Sequence, residues 1–335
     1  MATGRDVAQL AGTSTAVVSY VFNNGPRNVS PETRERVLAA AAELNYQPNA
    51  LARALSAGKT SSIGLIVPNI ANPYFGELAR ALEDAALAHN HLLIIADSAG
   101  NPEQETRHCA SFLGRRVDGV ILVSLFDNPD LSAFRRENVP VLVLHPIDHA
   151  HGVSSLTIDY EAAARDATAH LLDHGYDSIG MLNGLGETAG ARQHRAGFEA
   201  ALARHAERNP GVTVRAEERS AEISRAAAAR IATAWLAEPD RPRAIYSTTD
   251  EQAFGVLYAA HVNGLRVPED LAIVGFDGTE QTEFAVPPLT TIAQPIRQIS
   301  NRAIELLVRY VPDAPVHELF AYTLTRRSSC GCEPG

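Results

Sequence analysis

Apolar positions in the first 55 residues recur at intervals of three and four; beyond residue 60 they gather into short continuous runs. The first spacing is that of helices with one buried stripe, the second that of strands covered on both faces. Val7, Leu10 and Ala11 define a first helix, opened by a Thr3–Asp6 capping pair. Ser14 caps a second, with Val17, Val18 and Val21 facing inward and Thr15, Ala16, Ser19 and Tyr20 facing out. Ser30-Pro31 opens a third, packed through Val37, Leu38, Ala41 and Leu44. Ala11-Gly12-Thr13 is a tight turn between the first two, the spacing of a helix-turn-helix, which sets its second helix in the major groove of DNA. A three-helix module for protein contact shares this pattern. A Pro48-Asn49 linker follows, and Asn49 caps about two further turns, too short to hold in water without a partner surface.

The runs at 63–67, 92–96, 120–123, 141–144, 179–182, 244–247 and 272–275 have strand length. Helical patterns at 74–90, 161–174 and 253–263 lie between them. This alternation predicts an α/β body with parallel sheets, long enough for two lobes with a cleft between them. Ligands of such sheets bind at the carboxyl ends of the strands. There the chain places an aromatic pair, Tyr74 and Phe75, and two carboxylates, Asp250 and Asp277. A ring to stack on and bidentate acceptors suit a sugar or nucleoside. Ordinary core packing for Tyr74 and Phe75, and a helix cap for Asp250, are the competing readings. Two phosphate motifs fail. Gly58-Lys59-Thr60 has Arg53 where a P-loop needs its first glycine, and Gly184-x-Gly186 has Ala189 at the third glycine's place. No metalloenzyme spacing and no nucleophile elbow appears, so no catalytic residue, metal or cofactor is expected.

Charge sharpens the division. Residues 1–60 hold six cations and four acids, a net +2, which leaves −12 of the chain's −10 to the remainder. A basic head on an acidic body can bind DNA through the head. No apolar run reaches about 18 residues, so no membrane partner is expected. The amino terminus shows no charged-then-apolar leader, and three cysteines are too few for a disulfide framework, so the chain is expected in the cytoplasm. Cys330-Gly331-Cys332 is expected to be a frayed tail, with a metal or redox role as the competing reading.

The head resembles the lactose/galactose repressor family. The likeness is densest in Asp6-Val7-Ala8, Ala11-Gly12-x-Ser14, Val18-Ser19, Val29-Ser30-Pro31-Glu32-Thr33-Arg34, Glu43-Leu44-x-Tyr46-x-Pro48-Asn49 and Ala52-Arg53-x-Leu55. Asn72-Pro73-Tyr74-Phe75, Thr249-Asp250, Gly275-Phe276-Asp277 and Pro288-Leu289-Thr290-Thr291 carry it through the body. The resemblance implies a homodimeric transcriptional repressor on a pseudo-palindromic operator. Thr15 and Ala16 fall on base-reading positions; Ser19, Asn23, Asn28, Ser30 and Thr33 fall on phosphate-contacting ones. A linker helix bearing Asn49, Ala52 and Arg53 would enter the minor groove, with Leu55 wedged at the central step. Tyr20 stands where many members carry a guanine-reading Arg, so operator preference does not transfer. The body is implied to be two lobes like those of periplasmic sugar-binding proteins, holding a small polar effector. His145 replaces a frequent Asp, and His194 a frequent effector-binding Arg, for which its neighbours Arg192 and Arg195 are the substitutes. A nucleoside or phosphorylated effector, and a cytosolic sugar-processing enzyme, are the alternatives. The expected domains are 1–45 for the helix-turn-helix, 46–58 for the linker helix and 59–335 for the body. Its lobes are expected at about 61–157 plus 292–317 and about 158–291 plus 318–327. The tail after Thr325 has no heptads, so a dimer is expected rather than a tetramer.

Overall fold

The computed structural model describes residues 2–23, 28–47, 59–146, 153–184, 186–311 and 314–333. The linker with Asn49, Ala52, Arg53 and Leu55 lies outside them. The chain divides into a head, Met1–Ser61, and a body, Ser62–Gly335.

In the head, α1 (Gly4–Leu10), α2 (Thr15–Asn23) and α3 (Pro31–Glu43) enclose a small core of Val7, Ala8, Ala11, Val18, Val21, Val37, Ala40 and Ala41. The starts follow the local chemistry. Thr3 and Asp6 form the reciprocal capping box, and the Ser14 hydroxyl accepts from Val17 N–H at 3.3 Å. Ser30 accepts from Thr33 N–H with Pro31 in the first turn, where its missing N–H costs nothing. Two expected core residues face solvent instead: Leu10 and Leu38 are 48% and 45% exposed. Ala8 and Ala40 are buried beside the valines instead.

Among the described residues the body holds two six-stranded sheets. The first lobe takes β1 (Ser62–Val67), α4 (Pro73–Ala88), β2 (Leu92–Asp97), α5 (Pro102–Gly114), β3 (Gly119–Leu122), α6 (Ser132–Arg136), β4 (Val141–Val143) and β5 (Ser154–Ile158). The second takes α7 (Tyr160–Asp173), β6 (Ser178–Asn183), α8 (Ala189–Arg208), β7 (Arg215–Ser220), α9 (Arg225–Leu236), β8 (Ala244–Ser247), α10 (Asp250–Val262), β9 (Ala272–Asp277) and β10 (Thr290–Ala293). The chain then returns, through α11 (Ile296–Val308) and β11 (His317–Phe320) in the first lobe, to β12 (Thr323–Thr325) in the second. Strand orders are β11-β5-β4-β3-β1-β2 and β12-β10-β9-β8-β6-β7, parallel except for β12 against β10. The last two crossings therefore fall later than the expected 292 and 318, because β10 completes the second sheet before the chain leaves and β11 the first.

Buried strands explain the apolar runs. Along β1, Leu65 and Val67 pack under Leu78, Leu82 and Ile304, while Ile66 packs with Phe112 and Phe134 on the opposite face. The second lobe repeats the plan, with Met181, Val274 and Phe276 on one side and Trp235, Ile245 and Ile273 on the other. Glycine sets its helix spacing: a Cβ on Gly197 would collide with the Glu161 carbonyl, so α7 and α8 approach backbone to backbone.

Candidate functional site

On α2 the outward face is as the spacing predicts. Thr15, Ala16 and Ser19 are exposed and Tyr20 is half-buried. Thr15 and Ala16 occupy the first turn, the part of a recognition helix that reaches base edges. Asn28 and Ser30 are exposed and Thr33 half-buried. Ser30 carries a local duty as well: its hydroxyl donates to Thr33 Oγ1 at 2.9 Å besides capping α3. Arg34 reaches the Val21 carbonyl at 3.4 Å and ties α3 to α2.

In the body the strands of both sheets end at a shared cleft of about 900 Å³. Tyr74, Phe75, His145, His194 and Asp277 line it, as expected. Asn72 caps α4 through Tyr74 N–H at 3.0 Å and so delivers the aromatic pair, whose rings meet edge to face with centroids 5.3 Å apart. The Tyr74 hydroxyl donates to Gln294 Oε1 at 3.2 Å, and the Gln294 amide donates to Asp277 Oδ1 at 3.1 Å. Asp277 is buried and adopts φ +124°, a strained backbone for a residue with a side chain, held at the mouth of β9. Burial first, and the Asp250 carboxylate second, hold its carboxyl well above the usual range.

Both histidines are neutral. Burial holds His145 down at about 4 and His194 at about 3. His145 Nδ1 accepts from Ser124 N–H at 3.1 Å, and its buried Nε2 has no hydrogen-bond partner among the described residues. His194 Nδ1 lies 2.7 Å from the Tyr246 hydroxyl. Its ring stands 5.2 Å from Tyr160 and 4.7 Å from Phe276, making one aromatic wall.

Two of the expected effector-binding residues, Asp250 and Arg192, are not in the cleft lining. Asp250 does not line the cleft: its carboxylate accepts from Thr279 N–H at 2.8 Å, the Thr279 hydroxyl at 2.9 Å and the Thr291 hydroxyl at 2.6 Å. It braces the cleft floor, burial pushes it up to about 7, and Thr249 rather than Asp250 caps α10. Arg192 stands outside the wall because Asp127 takes it, Nη1 to Oδ2 at 3.0 Å, and the Glu187 carbonyl takes it too. Arg195 pairs with Glu187 and Glu218. Sequence reasoning missed Asp97, Asp127, Tyr160, Asn183 and Glu222 in the lining. Asp97 and Asn183 end β2 and β6, so the carboxyl-end rule applied strand by strand finds them.

A three-helix head in the same chain as a two-lobed α/β body around a polar cleft is the architecture of DNA-binding regulators. Residues 3–49 match the bacterial regulatory proteins of the lacI family, and residues 168–330 match a periplasmic binding protein-like domain. Catabolite control protein A of Priestia megaterium is 36% identical over 309 residues, 91% of each chain. The HTH-type transcriptional repressor PurR of Photobacterium profundum is 32% identical over 316 residues, 93% of each. The structure of the Lac repressor dimer bound to operator and the anti-inducer ONPF superposes with a TM-score of 0.86 at 29% identity, covering 98% of this chain and 99% of that one. The chain belongs to the lacI family and is a DNA-binding regulator of transcription. No helix among the described residues is long and apolar enough to cross a membrane.

Proposed function

We propose that the protein is a cytoplasmic, non-catalytic repressor whose operator affinity is set by a neutral, hydroxyl-rich metabolite in the interlobe cleft. The observation that carries the effector class is the charge of the walls. Asp97, Asp127, Glu222 and Asp277 line the cleft with no Arg or Lys among the lining residues, and both histidines are neutral. A phosphorylated metabolite would meet Asp97 and Glu222 with no lining cation to offset them, since Arg192, outside the lining, is held by Asp127. Hydroxyls would find acceptors, and the Tyr160–Phe276 wall offers a ring face. That face also suits a nucleobase, so nucleosides are the second class to screen. Thr15, Ala16, Ser19 and Tyr20 of two protomers would read the half-sites of a pseudo-palindromic operator, with Asn23, Asn28, Ser30 and Thr33 on its backbone. The likeness to the Lac repressor dimer structure supports a homodimer.

The test is a thermal-shift screen of the full chain against neutral sugars, nucleosides and sugar phosphates. The reading expects a hit among neutral sugars; hits confined to phosphorylated compounds would refute it. In the linker, Leu55→Ala should weaken binding to a selected operator and reduce its bending while leaving the hit's affinity unchanged. Unaltered bending would sink the wedge role.

A further inference from the structure

The carboxyl-terminal segment is docked rather than frayed, against the expectation from its sequence. After β12 a single 3-10 turn, Ser328–Cys330, buries Ser329 and Cys330. The Ser329 hydroxyl donates to the Ile273 carbonyl at 2.7 Å and accepts from Thr290 N–H at 2.8 Å. The Tyr176 hydroxyl donates to the Cys330 carbonyl at 3.2 Å. These bonds fix the segment against β9, β10 and the end of α7. They also bring Cys330 and Cys332 against two histidines that precede them by roughly half the chain.

We propose that His170, His174, Cys330 and Cys332 form a closed, four-coordinate site for a borderline-soft divalent cation such as Zn2+, clamping the carboxyl-terminal segment to α7. The four candidate ligand atoms all lie within 4.8 Å of one another. His170 Nε2 is 3.2 Å from Cys330 Sγ and 3.5 Å from Cys332 Sγ, and His174 Nε2 is 3.4 Å from Cys332 Sγ. Zinc–sulfur bonds of about 2.3 Å and zinc–nitrogen bonds of about 2.0 Å place N and S roughly 3.5 Å apart at the corners of a tetrahedron. The observed spacings match those edges.

The local chain supports this geometry. His170 and His174 are four apart, so both rings project from one face of the helix end. The cysteines have one residue between them where zinc-binding pairs usually have two to four. Gly331, at φ +99°, supplies the sharp turn that lets both sulfurs reach the same point. Thr290 Oγ1 donates to the Arg327 carbonyl at 2.9 Å and lies 3.0 Å from Cys330 Sγ, so it holds the backbone before the cysteine and touches the sulfur from outside the site. Thiols are weak hydrogen-bond donors, so hydrogen bonding alone is a poor reason to gather four such groups. Two sulfurs and two imidazoles select zinc-like ions over magnesium or calcium, and four protein ligands leave no open position for catalysis.

The full chain, kept reduced and stripped with a chelator, is titrated with Co2+ and then Zn2+. One Co2+ per chain should give the visible spectrum of tetrahedral, thiolate-bound cobalt; Zn2+ should displace it and raise Tm. His174 is exposed and Cys332 half-buried, so H174A and C332S should keep the fold. Each should weaken binding by more than about 100-fold, beyond the cost of losing an outer partner, and abolish the metal-dependent rise in Tm. A thiolate-free cobalt spectrum, equal affinity in the variants, or a Cys330–Cys332 disulfide that persists under reduction would overturn the site.

Discussion

Asp277 shows how a single residue can carry both strain and ligand chemistry. Its carboxyl is buried at a positive φ, and its folded value lies well above the usual range of about 4. Such a group favours the folded state while protonated, so its contribution is present at acid pH and is lost as pH rises past the unfolded value. Asp250, pushed up to about 7, behaves alike. D277N keeps an oxygen for the Gln294 amide and removes the charge. Its stability relative to the parent should therefore climb from pH 5 to pH 8, read as a difference in Tm; a flat difference would contradict the assignment. His145 and His194 act with the opposite sign. Their lowered values make folding lose stability as pH falls below about 6.5, the ordinary histidine value. The residue scale is also where sequence reading was most exposed to error. Asp277 is legible because it ends an apolar strand. Asp250 looks equivalent after β8, yet Thr279 and Thr291, far along the chain, claim its carboxylate.

At the scale of elements, further ties join the lobes across the cleft besides the Tyr74–Gln294–Asp277 chain. Asp127, in the loop after β3, accepts from Ala189 N–H at the start of α8 at 2.6 Å and pairs with Arg192. Glu77 on α4 accepts from Glu280 N–H at 2.9 Å. The Arg192 pair is half-exposed and contributes at most about 1 kcal/mol; the bond to the helix terminus adds a similar amount. D127A should thus loosen the closed lobes and weaken an effector that binds them closed by roughly 3- to 30-fold in calorimetry. Unchanged affinity would show that the tie does not bias closure. These ties were not legible in the sequence, since a loop acid and a helix terminus more than sixty residues apart share no local pattern. Most central strands were legible, because burial on both faces makes them apolar; β5, Ser-Ser-Leu-Thr-Ile, and β10, Thr-Thr-Ile-Ala, were not, because half or more of each is hydroxyl residues. β7, Arg-Ala-Glu-Glu-Arg-Ser, was not: it is an edge strand with β6 as its one neighbour, and its side chains stay half-exposed. β11 and β12 escaped for the same reason.

For the whole molecule, the distribution of charge and chemistry is consistent from end to end. A head of net +2 presents a polar helix face, and an acidic body of −12 surrounds a cleft without lysine or arginine in its lining. Membership of the lacI family gives this arrangement its regulatory meaning. The central claim is that the cleft and the head are energetically coupled. Coupling between two sites is reciprocal, so operator and effector must change each other's affinity by one common factor, about 5- to 150-fold for the usual 1–3 kcal/mol. The direct measurement is a pair of titrations on the full chain: operator with and without the effector found by the screen, and effector with and without operator. Equal factors above about fivefold are predicted. Operator affinity indifferent to a saturated cleft, or effector affinity indifferent to bound operator, would contradict the account.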